Sequence, residues 1–255
     1  MKRIFLIFGY KAISICLLST LTTYFCIKFE ILAEFPLTLI ATAIVFPIVF
    51  SINGAYKRRE EALKNYGDLK SHGKSIYFAT RDWLENPSQD TLKNCRDMLE
   101  ALLQNCKTLF SSPVESLREN EEIVYSTFSK LSKFIKTELR GGGLPSGEVS
   151  RCNQYLSKML VAFENTKHIY QYRTPRTLRT FSTVFIFLLP IVYGPYFAQQ
   201  ATLYSDHVTY AMPILFSLIF VSLHNIQSQL ENPFDGVGED DILFNAELFK
   251  NRLYE

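Results

Sequence analysis

The sequence has little of what a disulfide-rich secreted protein or a zinc protein requires. It contains one Trp and five Cys in 255 residues, with no Cys-x-x-Cys pair and no His at ligand spacing from a Cys. An odd, scattered set of cysteines is a poor disulfide framework and a poor zinc site, so we interpret these residues as reduced packing residues. They are Cys16, Cys26, Cys95, Cys106 and Cys152.

Catalytic signatures are also missing. The four His residues lie far apart and match no HExxH pattern, and the sequence has no GxSxG, no GxGxxG and no P-loop. The paired acids at 60–61 and 121–122 lie in charged, helical stretches, where a solvated helix face is the better interpretation. We therefore do not expect an enzyme.

A large net charge of either sign is absent as well. The 27 Lys and Arg nearly balance the 25 Asp and Glu, which leaves a formal charge of +2, and this argues against a nucleic-acid partner. Charge is missing altogether from four long stretches, residues 12–27, 35–56, 180–205 and 207–230. Because a helix needs roughly 20 apolar residues to cross a bilayer, the sequence predicts an integral, multi-pass membrane protein with four transmembrane helices.

The predicted spans cover about 11–28, 36–55, 180–199 and 207–226. An interfacial segment at 3–10 precedes the first span, with a cleaved signal peptide as the alternative for this region. Pro36 suits a first helical turn. Pro47, Pro190, Pro195 and Pro213 are expected to kink their helices, which membrane helices tolerate.

Positive residues beside the span ends predict the orientation. They are Lys57, Arg58, Arg59, Arg173, Arg176 and Arg179, whereas the short connections at 28–35 and 200–207 carry only Lys28. The positive-inside rule then places both termini and segment 57–179 in the cytosol, or on the equivalent face of an organelle membrane. Two roles stay open for this basic set: contact with lipid head groups, worth about 1 kcal/mol per residue near anionic lipid, and steering of anions toward a cytosolic vestibule.

The polar segment 57–179 is predicted to be helical throughout. The second span continues to about Trp83, and further helices cover 89–110, Ser112 to Arg140, and 146–172. A capping box is predicted at the start of the helix that runs to Arg140, from Ser112, Pro113 and Glu115. Strand alternation of useful length is missing, so the predicted fold is all-α. Its parts are 1–56, 57–179, 180–230 and an acidic tail at 231–255.

Two stretches resemble the bestrophin family. One is FPIVFSINGAYKRREEALKNYG, from Phe46 to Gly67, and the other is QLENPF at 229–234, followed by Glu-Asp-Asp at 239–241. They are similar to the family's N-x-A-Y-x-R-W-x-E-x-R-x-x-W-G pattern after its second membrane helix, and to its Asp/Asn-Pro-Phe turn after the last one. Thr174-Pro175 and Leu189-Pro190 also match. Arg59 and Tyr66 stand where the pattern has Trp.

The resemblance implies a homopentameric anion channel whose central pore is lined by the second membrane helix. The family's apolar neck then falls on Phe50, Phe46 and Thr42, which share one helix face. Rings of Phe exclude water and hydrated ions, while their positive edges attract an anion weakly. The alternative is that these side chains only pack against other helices or lipid. The expected partners are further copies of the chain, membrane lipid, and chloride or another small anion.

The turn after the last span carries a second implication of the resemblance. Animal bestrophins bind calcium there, whereas bacterial members keep the turn without calcium gating. At the matching positions Gln229 and Asn232 would give carbonyl oxygens and Asp241 a carboxylate. Because the loop is longer here, the other carboxylate would be Asp235 or Asp240. Hard cations prefer such oxygen ligands; a capped, solvated turn is the alternative.

Two function classes follow: an anion channel, and a non-conducting membrane scaffold or regulatory protein with a bestrophin-like fold. A coupled transporter is a weaker third hypothesis, because transporters usually carry charges inside the membrane and the four apolar stretches carry none. The symmetry of the oligomer, and the direction in which Phe46 and Phe50 face, would separate the first two.

Overall fold

The structure, a computed structural model, describes residues 9–173, 175–203, 208–236 and 240–253. Their helices are α1 (Tyr10–Lys28), α2 (Leu37–Asp82), α3 (Gln89–Ser111), α4 (Leu117–Phe134), α5 (Ser146–Gln171), α6 (Arg176–Gln200), α7 (Ala211–Leu230) and α8 (Ala246–Asn251). Short 3-10 turns lie at Val114–Ser116 and Ala201–Leu203, and a π-helical turn, Ile135–Leu139, extends α4. No strand occurs within these four ranges, which confirms the all-α prediction.

Four of the helices are long and apolar enough to cross a membrane. They are α1, the first part of α2, α6 and α7, so the prediction of four spans is confirmed. The fourth span, α7, begins at Ala211, four residues later than predicted. Pro213 therefore lies in its first turn, where the missing N–H breaks no helical hydrogen bond and no kink is needed. Residues 3–8 of the predicted interfacial segment lie outside the described residues.

The chain forms two compact units. The membrane unit comprises residues 1–57 and 173–231, and the polar unit comprises 58–172 and 232–255. The long helix α2 contributes its first part to the membrane unit and its second part to the polar unit.

Apolar side chains from all four spans meet inside the membrane unit. This core includes Ile15 of α1, Ile44 and Ile48 of α2, Leu189 of α6 and Phe220 of α7. Since helices in a bilayer gain little from burying apolar surface against each other, polar pairs and close packing add specificity.

Two buried hydrogen bonds join spans that are far apart in sequence. Ser19 Oγ of α1 donates to the carbonyl oxygen of Pro213 at 3.1 Å. Gln227 Nε2 of α7 donates to Ser51 Oγ of α2 at 2.8 Å. Both bonds satisfy polar groups that lipid cannot, and the second fixes how α2 is rotated about its own axis.

The polar unit surrounds a larger apolar core. The amphipathic pattern predicted for 89–110 is confirmed, because Leu99, Leu102 and Leu109 of α3 are fully buried. The tail after α7 also enters this core: Phe234 and Phe244 lie with their ring centroids 5.0 and 5.5 Å from that of Phe110. The tail is thus a packed part of the polar unit as well as an acidic one, and its helix α8 was not predicted.

The predicted capping box at Ser112 is wrong. Ser112 ends α3: its Oγ donates to the carbonyl oxygen of Thr108, and its own carbonyl accepts the hydroxyl of Tyr170. The side chain is therefore engaged at the C-terminus of one helix and does not cap the next. A 3-10 turn intervenes, and α4 begins only at Leu117.

The cysteines are packing residues, as predicted. All five are free thiols, and all except Cys16 are buried. Burial raises the pKa of Cys95 to about 12 and that of Cys152 to about 11, so both thiols are protonated at neutral pH.

A charged cluster joins α4 to α5 in the polar unit. Lys167 Nζ lies 2.7 Å from Glu121 Oε1, 2.7 Å from Glu164 Oε2 and 2.7 Å from the Tyr125 hydroxyl. Burial lowers the pKa of Lys167, but these hydrogen bonds outweigh it and raise the pKa above its ordinary value. The hydrogen bond from Lys167 holds the pKa of Glu121 below its ordinary value.

The substitution Lys167→Met should destabilise the polar unit by about 1–3 kcal/mol at neutral pH, because it leaves two partly buried carboxylates without their cation. The contribution of Glu121 is present above the ordinary glutamate pKa and is lost as the pH falls through the lowered value. The difference between wild type and variant should therefore shrink in acid. Unfolding is measured by the fluorescence of Trp83, which packs against the apolar core of the polar unit. Lys107→Met, at an exposed position of α3, is the control; equal effects of both variants would contradict the prediction.

Helices α1 and α6 approach closely at Gly194. A Cβ at this position would lie 2.5 Å from Thr22 Cγ2 and 3.2 Å from Cys26 Sγ. Gly194→Ala should therefore destabilise the membrane unit by about 1–3 kcal/mol through overpacking, measured by thermal unfolding in detergent. Gly147→Ala, where a Cβ meets nothing within 4 Å, should cause no such loss. An unchanged midpoint for Gly194→Ala would contradict the close packing.

Candidate functional site

One face of α2 is left uncovered within the membrane unit. Phe46 and Phe50 are 61% and 58% exposed, and Thr42 is exposed one turn before them. The opposite face is buried through Ile44 and Ile48. The predicted neck residues therefore do share one face, the stripe Thr42–Phe46–Phe50, and it points away from the rest of its own chain.

Alternating spacings of three and four residues produce this split. The buried face consists of Ile44, Ile48, Ser51 and Ala55. The hydrogen bond from Gln227 to Ser51 holds the later part of this face. As a result, only 17% of the most apolar stretch of α2 is buried, against 44% of that of α6. The second span is the least covered of the four.

The stripe changes polarity along its length. The Phe46 and Phe50 rings lie edge to face, with centroids 4.7 Å apart and planes at 80°. Thr42 Oγ1 donates to the carbonyl oxygen of Thr38 at 2.7 Å, so its proton is used within the helix. Beyond Phe50 the same face continues to the exposed Asn53 and Lys57. Polar groups thus follow the two Phe residues on one side, whereas toward the start of α2 the face continues through Thr42 to the exposed Leu39.

The predicted basic residues have different surroundings. Arg59 Nε donates to the carbonyl oxygen of Asp240 at 2.7 Å, and its Nη1 pairs with Glu60. Arg179 Nη2 lies 2.9 Å from Glu231 Oε1, whose side chain is 9% exposed. The Arg59 guanidinium thus binds the tail, and that of Arg179 binds the end of α7. Lys57 is exposed.

Arg58 and Arg173 are half-buried, and both have interaction partners in the chain. The Arg176 side chain lies outside the described residues. Lipid contact and anion steering therefore both stay predictions, with exposed Lys57 as the residue best placed for either.

The predicted calcium ligands of the polar unit lie in a turn with its own hydrogen bonds. Asn232 Nδ2 donates to Asp235 Oδ2 at 2.9 Å, and the N–H of Gly236 donates to Asp241 Oδ2 at 2.6 Å. Gly236 has φ +72°, which glycine adopts without strain. Asp240 contributes its carbonyl oxygen to Arg59. Gln229, the remaining candidate ligand, belongs to α7 in the membrane unit.

The carboxylates of this turn are engaged within the protein. Among the described residues, which exclude 237–239, no three His, Cys, Asp or Glu side chains are grouped to hold a metal ion. Asp235 and Asp241 each accept a hydrogen bond from the turn itself. These are the contacts of a capped turn, and calcium binding stays a prediction that a calcium titration tests.

Sequence reasoning missed the contact that anchors this turn. Arg59 occupies a position where the bestrophin pattern has Trp, and that departure was the available signal. Its guanidinium holds the tail loop through the Asp240 carbonyl.

The fold matches solved structures of a bacterial bestrophin homologue from Klebsiella pneumoniae. One variant structure is 19% identical, with 95% of this chain and 97% of that chain covered and a TM-score of 0.76. Another, phased on zinc, is 17% identical over 96% of both chains, with a TM-score of 0.76. A third is 18% identical over 96% and 98%, with a TM-score of 0.77.

No family model and no curated protein sequence matches the chain. The structural matches confirm the resemblance found in the two sequence stretches: the chain has a bestrophin-like fold. With its four apolar helices, it is an integral membrane protein.

The substitution Asp241→Ala should lower the unfolding midpoint of the polar unit, because it removes the acceptor for the Gly236 N–H, a loss of about 1 kcal/mol. The decrease should be equal in a calcium chelator and in millimolar calcium, measured by Trp83 fluorescence. Glu247→Ala, exposed on α8, is the control. A calcium-dependent rise of the wild-type midpoint that Asp241→Ala lacks would show that the turn binds the cation.

Proposed function

We propose that the protein is a passive anion channel, formed by several copies of the chain around an axial pore that α2 lines. The observation that carries this proposal is the uncovered stripe of Thr42, Phe46 and Phe50 on the least buried of the four spans. A helix that packs only one face within its own chain has a second face available for neighbouring copies and for a central pathway.

The polarity of the stripe supports a pore more than a lipid contact. Asn53 gives the end of this face an exposed amide, which water at the mouth of a pathway would solvate. The same face passes from apolar Phe46 and Phe50 to polar Asn53 and Lys57, as the mouth of a wetted vestibule requires. The likeness to bestrophin homologues supports the same conclusion at the level of fold.

Phe46 and Phe50 form the neck in this proposal. Repeated around an axis, each gives an apolar ring, and two rings one turn apart make a short constriction from which water withdraws easily. The positive ring edges attract an anion weakly, which allows chloride to enter and also to leave. Lys57, at the polar end of the stripe, raises the local anion concentration.

The assembly is proposed to be a homopentamer, as the bestrophin resemblance implies. Native mass spectrometry of the protein released from detergent should give five times the 29.4 kDa mass of the chain. A monomer or a dimer under conditions that preserve folding would contradict an axial pore.

Planar-bilayer recording under a chloride gradient tests conduction. Wild-type protein should reverse near the chloride equilibrium potential. The double variant Phe46→Ala/Phe50→Ala should conduct at least several-fold more, or select less between anions, because a wider neck retains water. The matched control is Phe187→Ala, which truncates an exposed Phe of α6 and should behave as wild type.

Two outcomes would overturn the proposal. Silence from well-folded wild-type protein, with and without calcium, would favour a non-conducting scaffold with the same fold. Equal currents from the double variant and from Phe187→Ala would leave a channel whose neck lies elsewhere.

A further inference from the structure

A basic pocket lies in the polar unit, between α2 and the tail. It encloses about 450 Å³, and its wall includes Tyr66, Gly67, Lys70 and Lys74 of α2, together with Phe249 and Arg252 of the tail. The conduction pathway proposed above uses none of these residues. A separate explanation is needed for three cations around one cavity.

The charge of this pocket is not balanced within the described part of the chain. None of the ion pairs found there includes Lys70, Lys74 or Arg252. The contrast with Lys250, two residues before Arg252, is clear. Lys250 Nζ lies 2.8 Å from Asp97 and 2.6 Å from Glu100. The tail thus neutralises one of its cations and presents another to the cavity.

Lys70 contacts the floor of the pocket and is affected by both of the other cations. Lys70 Nζ lies 4.0 Å above the centroid of the Tyr66 ring, a cation–π contact. Burial lowers the pKa of Lys70, and the positive charges of Arg252 and Lys74 lower it further. Arg252 and Lys74 therefore both repel Lys70, and an anion bound in the pocket would relieve that repulsion.

The floor of the pocket is buried and hydrogen-bonded. Tyr66 is only 6% exposed, its hydroxyl accepts the N–H of Asn245 at 3.2 Å, and its ring centroid lies 4.3 Å from that of Phe244. Asn245 in turn caps α8, since its Oδ1 accepts the N–H of Leu248 at 2.8 Å. One wall is open, because a Cβ on Gly67 would meet nothing within 4 Å. The cavity can therefore admit a ligand without rearrangement of its floor.

We propose that this pocket binds the phosphate groups of a soluble phosphorylated anion. The planar guanidinium of Arg252 suits bidentate contact with phosphate oxygens, and Lys70 and Lys74 add two point charges. Lys70 lies about 20 Å along the helix axis from Lys57, the residue that follows the apolar stretch of α2. That separation favours a soluble phosphate over a lipid head group as the source.

The probe is inorganic pyrophosphate, titrated into the purified full chain by isothermal calorimetry. Wild-type protein should bind one pyrophosphate per chain. Lys74→Glu should weaken binding at least tenfold, because it reverses one of the three charges. Gly67→Leu keeps all three cations and fills the open wall, so it should weaken binding by a similar factor. Lys107→Glu makes the same charge change at an exposed site on α3 and should bind as wild type.

Other outcomes overturn the proposal. Absence of binding to wild type does so. Equal weakening by Lys74→Glu and Lys107→Glu would show only a general electrostatic field, and full binding by Gly67→Leu would place the anion outside the pocket. Binding of short-chain dihexanoyl phosphatidic acid without binding of pyrophosphate would assign the pocket to lipid. Because the readout is binding, it is independent of whether the protein conducts.

Discussion

The rotation of α2 about its own axis is the constraint on which the proposed pore depends. Ile44 and Ile48 are held in the membrane core, and Gln227 binds Ser51 on the same face. With about 3.6 residues per turn, a shift of one residue in this packing would rotate the helix by about 100° and carry Phe46 and Phe50 away from their outward direction. The character of the uncovered face is thus decided by contacts on the opposite face.

In the polar unit, the second part of α2 and the tail are joined by several contacts. Arg59 holds the loop at Asp240, and Tyr66 contacts Asn245 and Phe244. Aromatic side chains from the tail then extend the core around Phe110. The acidic composition of the tail describes its surface, while its stability comes from the apolar residues between the acids.

Sequence reasoning succeeded where one strong requirement dominates. A bilayer demands about 20 uncharged residues, so the four spans followed directly. The all-α class followed from the helical spacing of 57–179 and the missing strand alternation. The bestrophin resemblance selected Phe46 and Phe50, and helical spacing then placed them on one face. Failures arose where two local signals compete or where partners are distant in sequence. Ser112 begins a sequence typical of a capping box, but its hydroxyl donates a hydrogen bond to the Thr108 carbonyl oxygen of the preceding helix instead. No local pattern could pair Ser19 with Pro213 or Arg59 with Asp240.

The cluster around Lys167 has an evolutionary consequence. Its amine is shared by Glu121, Glu164 and the Tyr125 hydroxyl, so replacement of any one member strands charge or a polar group on the others. Neutral drift through single substitutions is therefore slow at these positions, and the group can be exchanged for an apolar set only by coordinated changes. Among diverged homologues these four positions should be inherited as a block, and their joint variation would trace the α4–α5 contact from sequences alone.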